Sequence, residues 1–144
     1  MRLGRTAPIL LLAVAAGCGT ASTPSAPATT AGSATGSTPT VSHTKGLPPS
    51  VTNTDTSGQS VVGWLGAGQM YLVTYGSSTC PRLPTSVTAA AGNRLTITTA
   101  PTSDGPCTMD FGPTTSVVDV PQGISDTQPV QVTVDGVSST VPPR

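Results

Sequence analysis

Val130-Gln131-Val132-Thr133-Val134 alternates apolar and polar side chains, and Asp135-Gly136 separates it from a second run, Val137 to Val141. A period of two is the pattern of a strand with one buried face. Asp-Gly suits a type I′ hairpin turn, in which both central residues take positive φ. The three valines are therefore expected to point inward, with Gln131 and Thr133 outward, and the chain to fold as antiparallel β-structure.

The rest of the chain repeats the theme. Thirteen valines lie between Val51 and Val141, against four aromatic residues, Trp64, Tyr71, Tyr75 and Phe111. Valine is β-branched and packs well on a pleated surface, but its modest volume gives a thin core. Val61 to Leu65 and Gln69 to Tyr75 are apolar runs joined by Gly66-Ala67-Gly68, a hairpin signal. Val87 to Ala89 and Leu95 to Thr99 follow, separated by a turn at Gly92-Asn93, and then Cys107 to Phe111 and Thr115 to Val120, separated by Gly112-Pro113. Pro81, Pro84, Pro101, Pro106, Pro113, Pro121 and Pro129 are expected between strands, where a sheet tolerates them. Ala89-Ala90-Ala91 allows one helical turn at most. The fold class expected is all-β, a small β-sandwich of about eight short strands, with Trp64, Tyr71 and Tyr75 in its core. It is immunoglobulin-like at most in architecture, because Trp64 precedes Cys80 and no Tyr sits two residues before Cys107.

Three cysteines, Cys18, Cys80 and Cys107, divide by context. Arg2 and Arg5 precede an apolar run from Ala7 to Ala16, broken only by Pro8, and Ala15-Ala16-Gly17-Cys18 closes it. This is the layout of a secretory signal over residues 1–17. The closing residues read as a lipobox, in which the Cys18 thiol takes a diacylglyceryl group and lipoprotein-processing machinery cuts before it. Roughly ten apolar residues cover about 15 Å as a helix, half of a ~30 Å hydrocarbon core, so the run is too short to span. Two acyl chains make a durable anchor, so the expected address is the extracytoplasmic face of the cell membrane, held through Cys18. Residues 18–44 are almost wholly Ala, Gly, Ser, Thr and Pro, with Val41 and His43 as exceptions, and are expected to be a disordered tether. Residues 45–144 form the folded domain. In an exported chain Cys80 and Cys107 are expected to pair. Closing a loop of about 27 residues contributes roughly 3.5 kcal/mol in the chain-entropy view. A redox or metal role lacks C-x-x-C spacing and neighbouring His.

Lys45, Arg82, Arg94 and Arg144 face Asp55, Asp104, Asp110, Asp119, Asp126 and Asp135, so the chain after the leader carries about −2. No basic stripe is present to neutralise phosphates, which excludes nucleic acid as a partner. The one His, His43, lies in the tether, and no G-x-S-x-G occurs. Ser42-His43-Thr44-Lys45 matches S-x-x-K without its companion motifs and is taken as a chance match. Asp104 and Asp110 flank Cys107 as a carboxylate pair, although Asp104 also reads as a turn residue. Asn53-Thr54-Asp55-Thr56-Ser57-Gly58 lacks the order of an aspartic protease and reads as a loop. Tyr75-Gly76-Ser77-Ser78-Thr79-Cys80-Pro81 has small hydroxyl residues beside Gly that suit a backbone nest, although it also reads as a tight, disulfide-pinned strand exit. No catalytic, metal or cofactor residues are assigned.

The lipobox, the low-complexity tether, Trp64-Leu65, Gly76-Ser77-Ser78-Thr79-Cys80-Pro81 and the second half-cystine at Cys107 together resemble small actinobacterial cell-envelope lipoproteins of uncharacterised function. The resemblance implies an envelope location and transfers no ligand residues. The expected function is that of a non-enzymatic binding or structural module whose partner is an envelope protein or wall polymer. The alternative is an accessory or inhibitory subunit of a larger membrane enzyme.

Overall fold

The computed structural model describes residues 35–37, 42–51 and 58–144. Nine strands occur there: β1 Thr35–Ser37, β2 Ser42–Lys45, β3 Val61–Gly66, β4 Gln69–Gly76, β5 Arg82–Ala90, β6 Arg94–Pro101, β7 Gly112–Asp119, β8 Val130–Val134 and β9 Val137–Val141. They form a five-stranded sheet in the order β1-β5-β6-β8-β9 and a four-stranded sheet in the order β2-β7-β4-β3. All neighbours are antiparallel except β6 and β8. No helix occurs among the described residues.

The two sheets share one core, to which the four-stranded sheet gives Met70, Leu72 and Val118. The other gives Val87, Leu95, Ile97, Val130, Val132, Val134 and Val141. This is the sandwich expected from the alternation. Val130, Val132 and Val134 are buried while Gln131 is exposed, and Asp135 and Gly136 turn at φ 47° and 87°.

The interior is graded along its length. Across β4 and β7 the facing pairs run Met70 with Val118, Leu72 with Ser116, and Thr74 with Thr114. Hydroxyls thus replace hydrocarbon toward the C-terminal end of β4. Thr74 Oγ1 donates to the Arg82 carbonyl at 2.8 Å. The Ser116 Oγ is fully buried and has no partner among the described residues.

Several expectations need correction. Cys107 to Phe111 is not a strand, because its polar groups bond to side chains across a loop and no neighbouring strand offers a ladder. Pro84 lies inside β5 and Pro113 inside β7. Pro84 sits where the β5–β6 register shifts, so its missing N–H costs no ladder bond. β1 and β2 arise within the segment expected to be a tether. Backbone pairing with β5 and β7 is what orders them, and β2 remains exposed throughout, so no hydrophobic pattern marks it. Trp64 packs against the core as expected, whereas Tyr71 and Tyr75 lie on the outer face of their sheet. Tyr71 covers Gly63, its cross-strand partner, so closely that a Cβ there would collide with the phenol oxygen.

Asn93, at φ 55° in the turn before β6, organises the far end. Its amide nitrogen donates to the carbonyls of Ser125, Gln128 and Pro129 at 3.1, 3.4 and 3.0 Å. Its amide oxygen accepts from the Ser125 N–H at 2.7 Å. The β7–β8 crossover is thereby shaped to deliver β8 parallel to β6. Asn93→Asp replaces the donor by a carboxylate facing three carbonyls, and chemical denaturation is expected to show a loss of about 2 kcal/mol. Ser116→Ala removes an unpaired buried hydroxyl, and the same measurement is expected to show a gain of about 1 kcal/mol.

Candidate functional site

The chain changes sheets twice at one end of the sandwich. Residues 77–81 carry it from β4 to β5, and residues 102–111 from β6 to β7. Because β4 pairs with β7 and β5 with β6, the two crossovers run side by side. Cys80 and Cys107 are disulfide-bonded across them, with Cα atoms 5.5 Å apart. The pairing expected from the sequence is therefore present, and it staples two sheet crossovers rather than two core strands.

Hydroxyl chemistry reinforces the staple. The Thr108 N–H donates to Thr79 Oγ1 at 3.0 Å, and the Ser78 N–H to Asp110 Oδ1 at 3.1 Å. Ser77 Oγ lies 2.9 Å from Thr108 Oγ1 and 3.1 Å from Thr79 Oγ1, and the Thr108 hydroxyl also donates to Asp110. The Thr102 N–H reaches the Pro81 carbonyl at 3.1 Å. Phe111 stacks on Tyr75 with centroids 5.7 Å apart and planes 18° from parallel. Between these braces stands Met109, wholly exposed, next to Phe111, itself 62% exposed.

The Ser78 hydroxyl, the Thr108 hydroxyl and the Ser78 amide, in that order, hold Asp110 down to about 2. A carboxylate so firmly ionised is a poor proton acceptor near neutrality, and what this cluster offers is fixed negative charge and hydrogen bonding. Asp104 lies exposed in the turn where the Gly105 N–H donates to Ser103 Oγ. Among the described residues Asp110 is bonded to Ser78 and Thr108, not to Asp104. No group of three or more His, Cys, Asp or Glu able to hold a metal occurs among the described residues. Ser42 and Lys45 stand three positions apart on β2, which in a strand puts them on opposite faces. Cys18 and residues 52–57 lie outside the described residues.

A second polar cluster borders this end. Asp135 takes the Thr99 N–H at 2.8 Å and the Thr99 hydroxyl at 2.5 Å. Arg82 donates to Thr99 Oγ1 and to the Thr99 carbonyl, both at 3.0 Å, and lies 3.4 Å from Asp135. Burial opposes ionisation of Asp135, but the Thr99 hydroxyl and amide, then Arg82, outweigh it and lower its pKa. The Arg82 and Asp135 side chains are 43% and 34% exposed, so the ion pair itself adds little. Asp135 also walls a recess of about 230 Å³ between Gly58–Ser60 and the β8–β9 turn.

The Met109–Phe111 display was hidden in the sequence by a strand-like reading of Cys107 to Phe111. The available signal was its punctuation, Ser103-Asp104-Gly105-Pro106 before it and Gly112-Pro113 after it. No family model matches the chain, and no curated protein or solved structure matches it.

Asp110 and Asp135 are both lowered, so each contributes stability above the ordinary carboxylate range and loses it as pH falls through the folded value. The melting temperature is expected to hold steady above about pH 5 and fall between about pH 4 and pH 2. Asp110→Asn is expected to flatten that fall, as thermal scans across the range will register.

Proposed function

We propose that the chain is a lipoprotein, anchored at the extracytoplasmic face of the cell membrane through Cys18, whose sandwich is a non-enzymatic binding module. The braced loop bearing Met109 and Phe111 is its contact surface. The observation that carries this reading is the direction of β5. Thr35 pairs with Ala89 near the far end of β5, whereas Arg82 begins β5 beside the disulfide. At about 3.3 Å per residue, the span of β5 from Arg82 to Ala89 separates those two ends by roughly 23 Å. The described chain thus enters the sandwich at the end opposite the loop.

Exposed Met and Phe on a loop locked by a disulfide are suited to protein recognition, since the ordering cost of binding is met in advance. An envelope protein fits this surface better than a wall polymer, because Met109 offers no hydrogen bonds to sugar hydroxyls. The same rigidity favours one second reading, an inhibitory subunit that inserts the loop into the cleft of a membrane enzyme. Comigration with a larger complex in mild detergent would support that version, and migration alone would remove it.

The intact mass of the protein from its native membrane fraction tests the anchor. A chain beginning at Cys18, heavier by a diacylglyceryl group and gaining two hydrogens on reduction, is expected. An unmodified soluble chain would overturn the anchor. A photo-crosslinking residue in place of Met109 is expected to form adducts in envelope preparations that the same residue at exposed Thr96 does not. Equal adducts at both positions would remove the loop as the contact surface.

A further inference from the structure

We propose that two copies of this chain associate edge to edge through β3 and β9, an interface separate from the braced loop and independent of the anchor. On one side the sheets end in β1 and β2, strands of only three and four residues, β2 carrying Lys45. On the other side the sheets end in β3 and β9, and among the described residues no strand pairs with either outward edge. Sheet edges in monomers are commonly blunted by Lys, Pro or inward charge. Val61–Gly66 and Val137–Val141 contain no charged residue and no proline. Leu65 is 46% and Val137 62% exposed. β3 has one protective feature, a register shift between Trp64 and Gly66, which leaves Val61 to Trp64 regular.

The two edges together select the occupant. The Trp64 indole N–H donates to the Pro142 carbonyl at 3.1 Å, tying β3 to the chain just beyond β9 and fixing the spacing between the edges. An extended peptide can pair with only one edge. A body carrying two edges at the same spacing pairs with both, and a second copy of this chain is such a body. β3 and β9 both start at the disulfide-bearing end and run in the same direction. A two-fold axis normal to the sheets therefore sets each strand antiparallel to its own copy. Val134 and Val137 close the β8–β9 turn, so Val137, Ser139 and Val141 direct their backbone groups to β8, and Ser138 and Thr140 direct theirs outward. The Trp64–Pro142 bond sets Thr140 at about the height of Val62. An axis there pairs Thr140 with its copy through those outward groups. The recess beside Ser60, Ser138 and Ser139 lies between the two edges and falls under the second copy.

An edge about 20 Å long across two sheets ~10 Å apart covers roughly 400–500 Å² on each copy. The total of about 800–1,000 Å² lies below the ~1,200 Å² at which stable specific interfaces begin, so a weak, reversible dimer is expected rather than a permanent one.

Sedimentation equilibrium of the full chain carrying Cys18→Ser, over about 1 μM to 1 mM, tests the proposal. A monomer–dimer equilibrium is expected. Adding Leu65→Lys and Val137→Lys, both at exposed positions, is expected to raise the dissociation constant at least about tenfold with the melting temperature unchanged. A monomer throughout the range would overturn the proposal. So would association that persists undiminished in the substituted chain, the result expected if the apolar residues 7–16 were responsible.

Discussion

The Cys80–Cys107 bond lies where the hydrophobic effect has least to offer. Toward that end the inner faces carry Thr74, Thr99, Thr114 and Ser116, and the large buried side chains, Met70, Leu72, Leu95 and Ile97, lie further along. Hydroxyls between sheets contribute little by transfer from water, and each must find a partner or cost stability. A covalent link across the two crossovers holds this end shut without requiring apolar volume. It also fixes the geometry that every neighbouring bond needs. Thr79 meets Thr108 and Ser78 meets Asp110 only while residues 77–81 and 102–111 stay side by side. The disulfide is thus the condition for the polar brace, and the brace is the condition for the display of Met109 and Phe111.

Polar side chains play the corresponding part in the topology. Among the described strands the β6–β8 pair is the one parallel contact, and parallel strands need a crossover to bring them into line. Asn93 gathers that crossover at one end, and Asp135 takes the Thr99 amide and hydroxyl at the other. Both residues have positive φ. Each therefore serves as a turn residue through its backbone and as a clamp through its side chain, an economy open to Asn and Asp, which tolerate the left-handed region better than other side chains.

Legibility followed the physical origin of each element. β8, β9, β3 and β4 are plain because alternation and turn chemistry are local, and the cysteine pair follows from their number and the expectation of export. β1 and β2 were not, since edge strands held by backbone pairing leave no trace in side-chain pattern, and β2 is exposed throughout. Cys107 to Phe111 misled because Met, Phe and Thr suit a strand. Only the third dimension shows that Asp110 turns back to Ser78 and that Phe111 leans on Tyr75 instead of a core. Tyr71 was assigned to the core on hydrophobicity alone, but its partner is a glycine on the outer face, and the register between two strands decides that. The candidate site is legible as a covalent staple and illegible as a surface, because an exposed loop is defined by what it leaves uncovered.

That distinction bears on how the loop can work. Residues 102–111 are exposed throughout, and a stretch of that composition on its own would populate many conformations, each of which binding would have to suppress. Here the suppression is accomplished in folding, by one covalent bond and a set of hydrogen bonds to Asp110 and Thr79. Asp110 ionises at about 2, so the brace does not loosen anywhere near neutral pH. On the reading proposed above, a partner would meet one shape carrying an apolar pair beside a fixed negative charge. The complement of such a shape would be an apolar recess with a basic rim, its affinity set by how well Met109 and Phe111 fill it and its salt dependence by Asp110.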